Sequence, residues 1–167
     1  MTAIICIVGP LTLPIGPVPI SLTPFAICIS VYVLGKKRGT IACALYLLIG
    51  LIGLPVFSGY SAGPAVLFGP TGGYLIGYVV MSFISGHFID RFSGGYAASF
   101  IGMVIGLAAL YVIGTLWLSY STQMSLAASF AAGVAPFILF DLLKIVLSIV
   151  VGSRLRSRLG AIGYVPG

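Results

Sequence analysis

Continuously apolar runs, separated by short clusters of glycine, proline or charge, dominate the chain. None alternates apolar and polar residues with a period of two, as a strand of a membrane barrel would, so the runs predict helices. The first, Thr2 to Val8, ends at Gly9-Pro10. Its seven residues rise only about 10 Å, well short of a hydrocarbon layer, and it reads as a short or truncated first helix. Leu11 to Phe25 follows, with Pro14, Pro17, Pro19 and Pro24. Such a piece is too stiff and too poor in backbone donors for a helix and reads as an ordered loop at the membrane surface. Further helices are predicted over about Phe25 to Leu34, Thr40 to Leu54, Gly72 to Ile89, Tyr96 to Leu118 and Ala127 to Val151. The second stops at Gly35 to Gly39 (GKKRG), the fourth at Asp90-Arg91 and the sixth at Arg154 to Arg158 (RLRSR). Between the third and fourth, Pro55 to Thr71 is rich in Gly, Pro and Ser yet still apolar, the mark of a structured or re-entrant loop.

Composition agrees: with 60% hydrophobic residues, 6% charged residues and a mean hydropathy of +1.23, the chain is an integral membrane protein. Its 167 residues leave room for about six spans and short connections, hence an all-α six-helix bundle forming one transmembrane domain, 1–167, with no soluble domain. Seven of the eight basic residues cluster after the second, fourth and sixth helices. The positive-inside rule makes that side cytoplasmic, puts both termini there, and places Trp117 and Tyr120 at the outer interface of a multi-pass cell-membrane protein. Membrane lipids, and no nucleic acid, are the expected partners of Lys36, Lys37, Arg38 and the terminal arginines. Cys6, Cys28 and Cys43 lie in apolar runs without CxxC spacing and read as small hydrophobes, with no metal expected. A cleaved signal peptide is not expected either, since no basic region precedes the first apolar run.

Asp141 and Lys144 stand out against this background, three residues apart in an otherwise apolar stretch from Phe130 to Val151. A charge near the middle of a membrane helix costs roughly 2.5–3.5 kcal/mol even on lenient insertion scales, and the spacing puts both on one helical face. They are either a self-neutralising pair that lets the helix insert or a recessed polar site. Asp141 precedes Arg154 by thirteen residues, roughly 20 Å of helix, which puts it in the outer half, on the same side as the loops Gly9 to Thr23 and Pro55 to Thr71. A pocket roofed by those loops and floored by the pair would open outward. Acceptor-only carboxylate beside donor-only ammonium suits a head group with N–H donors next to a carbonyl, such as a urea or amide ring, and also suits a zwitterion.

Other features carry less. FGPTGGY, Phe68 to Tyr74, has no Gly-Lys-Ser/Thr and no preceding strand, so it is not expected to bind nucleotide and the chain has no ATPase of its own. Gly73 with Gly77, and Ala98 with Gly102 and Gly106, form small-residue ridges that predict close helix packing. His87 falls near the inner end of the fourth helix and reads as an interfacial side chain.

The run GLPVFSGYSAGPAVLFGPTGGYLIGY, Gly53 to Tyr78, with PIGPVPISL at Pro14 to Leu22 and DLLK at Asp141 to Lys144, resembles the BioY family of biotin transporters. These are the substrate-binding S components of energy-coupling factor transporters, and the similarity runs through nearly the whole chain in order. The resemblance implies a six-helix S-component fold, high-affinity biotin capture from outside, and docking to a transmembrane coupling protein that carries two cytosolic ATPase subunits. It implies that Asp141 and Lys144 bond the ureido ring, that Phe57, Ser58, Tyr60, Gly69, Thr71, Gly72, Gly73 and Tyr74 cover the bicyclic ring, and that Val18, Pro19 and Thr23 wall the valerate tail. Ala3 and Cys6 are its candidates for docking the coupling protein. The chain has no Asn, so Ser58, Tyr60, Ser61, Thr71 or Tyr74 would have to complete the ureido contacts. No cofactor and no chemistry on the substrate are expected, biotin being cargo. Alternatives are an S component for another vitamin and a stand-alone proton-coupled carrier in which Asp141 cycles a proton. With no HExxH, no Ser/His dyad at depth and no paired carboxylates, an intramembrane enzyme is disfavoured.

Overall fold

The computed structural model of the chain describes residues 1–13 and 18–161; Pro14 to Pro17, within the predicted surface loop, lie outside the described residues. Helix α1 (Thr2–Val8) is short, as its run length predicts. The surface loop pairs β1 (Thr12–Leu13) antiparallel with β2 (Ile20–Ser21), Thr12 facing Ser21.

The predicted second and third helices are joined as α2 (Thr23–Leu51), interrupted only at Gly35, whose φ of 81° lies in the left-handed region. That single residue reverses the chain. A Cβ on Gly39 would stand 2.7 Å from Val31 Cα, whereas residues so far apart on a straight helix are separated by about 12 Å. Lys36, Lys37 and Arg38 therefore open the second limb of α2 and do not form the loop expected of GKKRG, because glycine alone supplies the turn. Asp90 caps that limb from a neighbouring helix, its Oδ2 accepting from the Lys36 amide at 2.6 Å.

Helix α3 (Pro64–Phe68) and a 3-10 turn at Ser58–Tyr60 structure the long loop. α4 (Gly72–Arg91) and α5 (Tyr96–Thr122) are long and apolar enough to cross a membrane. They meet along the small-residue ridges: Gly73 lies against Trp117, Gly77 against Leu110, Gly102 against Phe88 and Gly106 against Met81. The predicted sixth helix is broken into α6 (Leu126–Gly133) and α7 (Ile138–Ala161), bent by 47° and together long enough for a third span. Pro136 at the break has no N–H to continue the ladder, and the amides of Val134 and Ala135 both turn to the Phe130 carbonyl. α7 also continues to Ala161, so RLRSR lies on the helix instead of following it. With α1, the two limbs of α2, α4, α5 and the broken α6–α7, the described residues form a bundle of six helical segments.

The long loop is anchored at both ends. Phe57 is wholly buried and its ring occupies the space that a side chain at position 50 would need, which only Gly50 leaves free. It meets Tyr46 edge-on at 5.6 Å between centroids, while the Gly63 amide donates to the Gly50 carbonyl at 2.8 Å. At the far end Trp117 Nε1 donates to the Gly69 carbonyl at 2.9 Å, so Trp117 serves as a loop anchor in addition to sitting near the end of its helix.

Candidate ligand-binding site

Because α7 begins at Ile138, Asp141 falls in a first helical turn and not in the middle of a long helix. The positive dipole end of that turn favours a carboxylate there. Lys144 lies one turn on, and its Nζ donates to Asp141 Oδ1 at 2.8 Å and to the Ser21 carbonyl of β2 at 2.7 Å. The hydroxyl of Tyr111 on α5 donates to Asp141 Oδ2 at 2.7 Å. Each carboxylate oxygen thus has one donor and keeps further acceptor capacity, and the ammonium keeps a third N–H. Both side chains are nearly buried, at 8% and 12% exposure, so the charges are well shielded from hydrocarbon and from bulk water alike.

The pair lies at a cavity roofed by the two irregular loops. Val18, Pro19 and Ser21 line it from the hairpin, Phe57, Ser58, Val66 and Thr71 from the long loop, Tyr74, Tyr78, Leu110 and Tyr111 from the helices, and Phe137 from the break between α6 and α7. The cavity has a volume of about 50 Å³. It is a narrow site with room for a few waters. Tyr74 is wedged between Gly114 of α5 and Gly133 of α6, and its hydroxyl donates to the Gly133 carbonyl at 3.1 Å, satisfying backbone that the helix break would otherwise strand.

Of the residues singled out in the sequence, Asp141, Lys144, Phe57, Ser58, Thr71, Tyr74, Val18 and Pro19 meet at this cavity. Five do not line it. Tyr60 is 66% exposed, and Gly69 is turned to Trp117. Gly72 packs on the Leu67 carbonyl and Gly73 on Trp117, both as helix-packing glycines. Thr23 is buried with its hydroxyl 2.6 Å from that of Ser21, an internal bond of the turn that starts α2. Ser61, considered as a substitute for the absent Asn, donates to the Ser58 carbonyl instead. Ala3 is exposed, whereas Cys6 is half-buried and packs on the core. His87 is exposed near the end of α4, as an interfacial side chain should be.

Tyr111, Tyr78, Ser21 and Phe137 were not legible as site residues. A tyrosine hydroxyl in the middle of an apolar span, far from the interface where tyrosine usually sits, was the available signal for Tyr111 and Tyr78. A backbone carbonyl such as that of Ser21 has no sequence signature at all. Among the described residues no three His, Cys, Asp or Glu side chains gather as a metal site.

Comparison with known proteins supplies the kinship. The profile of the BioY family matches residues 1–161. The chain is 38% identical over 156 residues to the biotin transporter BioY of Thermotoga maritima, covering 93% of this chain and 91% of that protein. It is likewise 38% identical over 153 residues to the biotin transporter BioY2 of Lactococcus lactis subsp. cremoris, covering 92% and 84%. Its fold superposes on the crystal structure of the S-component for biotin from an ECF-type ABC transporter with a TM-score of 0.87 at 35% identity, over 93% of this chain and 86% of that one. With matches of this extent in sequence and in fold, the chain belongs to the BioY family.

Proposed function

We propose that this chain captures biotin from outside the cell with high affinity and serves its import as the substrate-binding S component of an energy-coupling factor transporter. The observation that carries the reading is the shielded Asp141–Lys144 pair at the base of a cavity under the two loops. A ureido ring offers N–H donors beside a carbonyl acceptor, the complement of a carboxylate beside an ammonium. Capture exchanges internal bonds for ligand bonds: the ureido carbonyl takes the Lys144 N–H now given to Ser21, and the ring N–H groups reach the free acceptor sites of Asp141. Since Ser21 belongs to β2, losing its bond to Lys144 loosens the hairpin from α7, and the cavity widens beneath Val18 and Pro19 to admit the bicyclic ring. The apolar wall there suits the valerate chain, and loop amides suit its carboxylate. Relatives named as biotin transporters, and a biotin S-component of the same fold, support this cargo.

The same reading gives the chain its partners and orientation. A transmembrane coupling protein with two cytosolic ATPase subunits supplies the energy, with Ala3, and Cys6 behind it, on the face offered to that protein. The basic ends of α2, α4 and α7 and both termini are cytoplasmic, and the hairpin and long loop face outward. No cofactor takes part. Mass spectrometry of protein purified from cells grown with biotin tests the cargo: stoichiometric biotin is expected, and a different co-purified vitamin would overturn the assignment. Uptake that persists without the ATPase subunits and follows a pH gradient would instead identify a proton-coupled carrier.

A further inference from the structure

The last turns of α7 carry Ser153, Arg154, Arg156, Ser157 and Arg158. Arg156 is engaged, with Nη1 donating to the Tyr32 carbonyl at 3.2 Å and lying 3.9 Å from Asp90 Oδ1. Among the described residues neither Arg154 nor Arg158 has a protein partner. They stand one helical turn apart, as do Ser153 and Ser157 beside them, and with Tyr96 at the start of α5 they wall a cleft of about 320 Å³. Among the described residues no carboxylate lines that cleft. Ser153 Oγ donates to the Val150 carbonyl at 3.1 Å, which leaves the two guanidinium forks, with the Ser157 hydroxyl beside them, as the donors suited to phosphate oxygens among the described residues.

A second observation identifies what kind of phosphate. Arg158 also borders an almost wholly apolar trough whose walls include Phe25, Ile29, Val33, Leu155 and Leu159. A soluble anion would use only the cationic cleft. A molecule with a phosphate and hydrocarbon chains would use both, and the shared arginine sits where the two halves of such a molecule join.

We infer that the cleft between the start of α5 and the end of α7 binds the phosphate of an anionic membrane phospholipid, with an acyl chain laid along the adjoining apolar trough. The site lies at the basic end of the bundle, apart from the cavity at Asp141, and its occupancy does not depend on the identity of the cargo. Native mass spectrometry of the detergent-solubilised, delipidated protein, titrated with phosphatidylglycerol or phosphatidylcholine, tests this. Retention of phosphatidylglycerol over phosphatidylcholine is expected. Combining Arg154→Gln with Arg158→Gln should weaken phosphatidylglycerol binding about thirtyfold, and Arg158→Gln alone about fivefold, the effect of removing two and one basic residues at an anionic surface. Unfolding temperature and monodispersity verify that each variant is folded, and the single variant carries the test should the double one fail that check. Equal retention of the two lipids, undiminished phosphatidylglycerol binding in the variants, or displacement by soluble glycerol phosphate as effective as by the lipid would each overturn the inference, the last by revealing a site for a free anion.

Discussion

Asp141→Asn probes the recognition chemistry with little change of shape. The amide oxygen can still accept from Lys144 Nζ, now 2.8 Å away, so the geometry persists while the acceptor loses its charge. A hydrogen bond to a charged group contributes about 1.5–3 kcal/mol, so loss of one between ligand N–H and carboxylate predicts biotin binding weaker by about 10- to 150-fold. Lys144 is then left as a shielded cation with neutral acceptors, the Ser21 carbonyl among them. Removing one member of a buried ion pair outright costs about 3–5 kcal/mol; here the retained amide acceptor keeps the loss of folding stability below that. Calorimetric titration with biotin, alongside thermal unfolding of the same preparation, separates the two effects. Asp90→Asn is the matched control, since Asp90 is the other of the two acidic residues and lies at the opposite end, bound to the Lys36 amide. Its biotin affinity should equal that of the wild type. An Asp141→Asn protein that is folded and binds biotin with undiminished affinity would refute the role given to the pair.

Tyr111→Phe removes the donor to Asp141 Oδ2 and should weaken biotin binding about tenfold, seen in the same titration, with unfolding temperature little changed because the cavity admits a replacing water. Gly50→Ala forces a methyl group into the Phe57 ring, a core overpacking of about 1–3 kcal/mol, read as a lower unfolding temperature together with weaker ligand binding as the loop is displaced. Trp117→Phe deletes the bond to the Gly69 carbonyl, a loss of about 0.5–1.5 kcal/mol, and limited proteolysis should then cut the 55–71 loop faster than in the wild type. Tyr32→Phe breaks the 2.6 Å bond to the Gly94 carbonyl at the basic end; unfolding temperature should fall while biotin affinity stays unchanged.

Much of this architecture is written in short-range pattern. Lengths of apolar runs set the membrane class and the six helical segments, since a bilayer demands a certain length of apolar helix whatever its neighbours are. The glycine ridges of α4 and α5 foretold their close packing, and the single charged pair far from any basic cluster marked Asp141 and Lys144 as belonging to a shielded polar site, because lipid tolerates such charges poorly. Only assembly in three dimensions decided the rest. The reversal at Gly35 turned a basic loop into a helix start, and the break at Pro136 moved Asp141 from mid-helix to a first turn. Tyr111 meets Asp141 across 30 positions of chain, and Ser21 meets Lys144 across 123. Which face of a uniformly apolar helix turns inward depends on how its neighbours pack, and a carbonyl looks the same in every residue, so partners at such separations become definite only when the bundle closes around them.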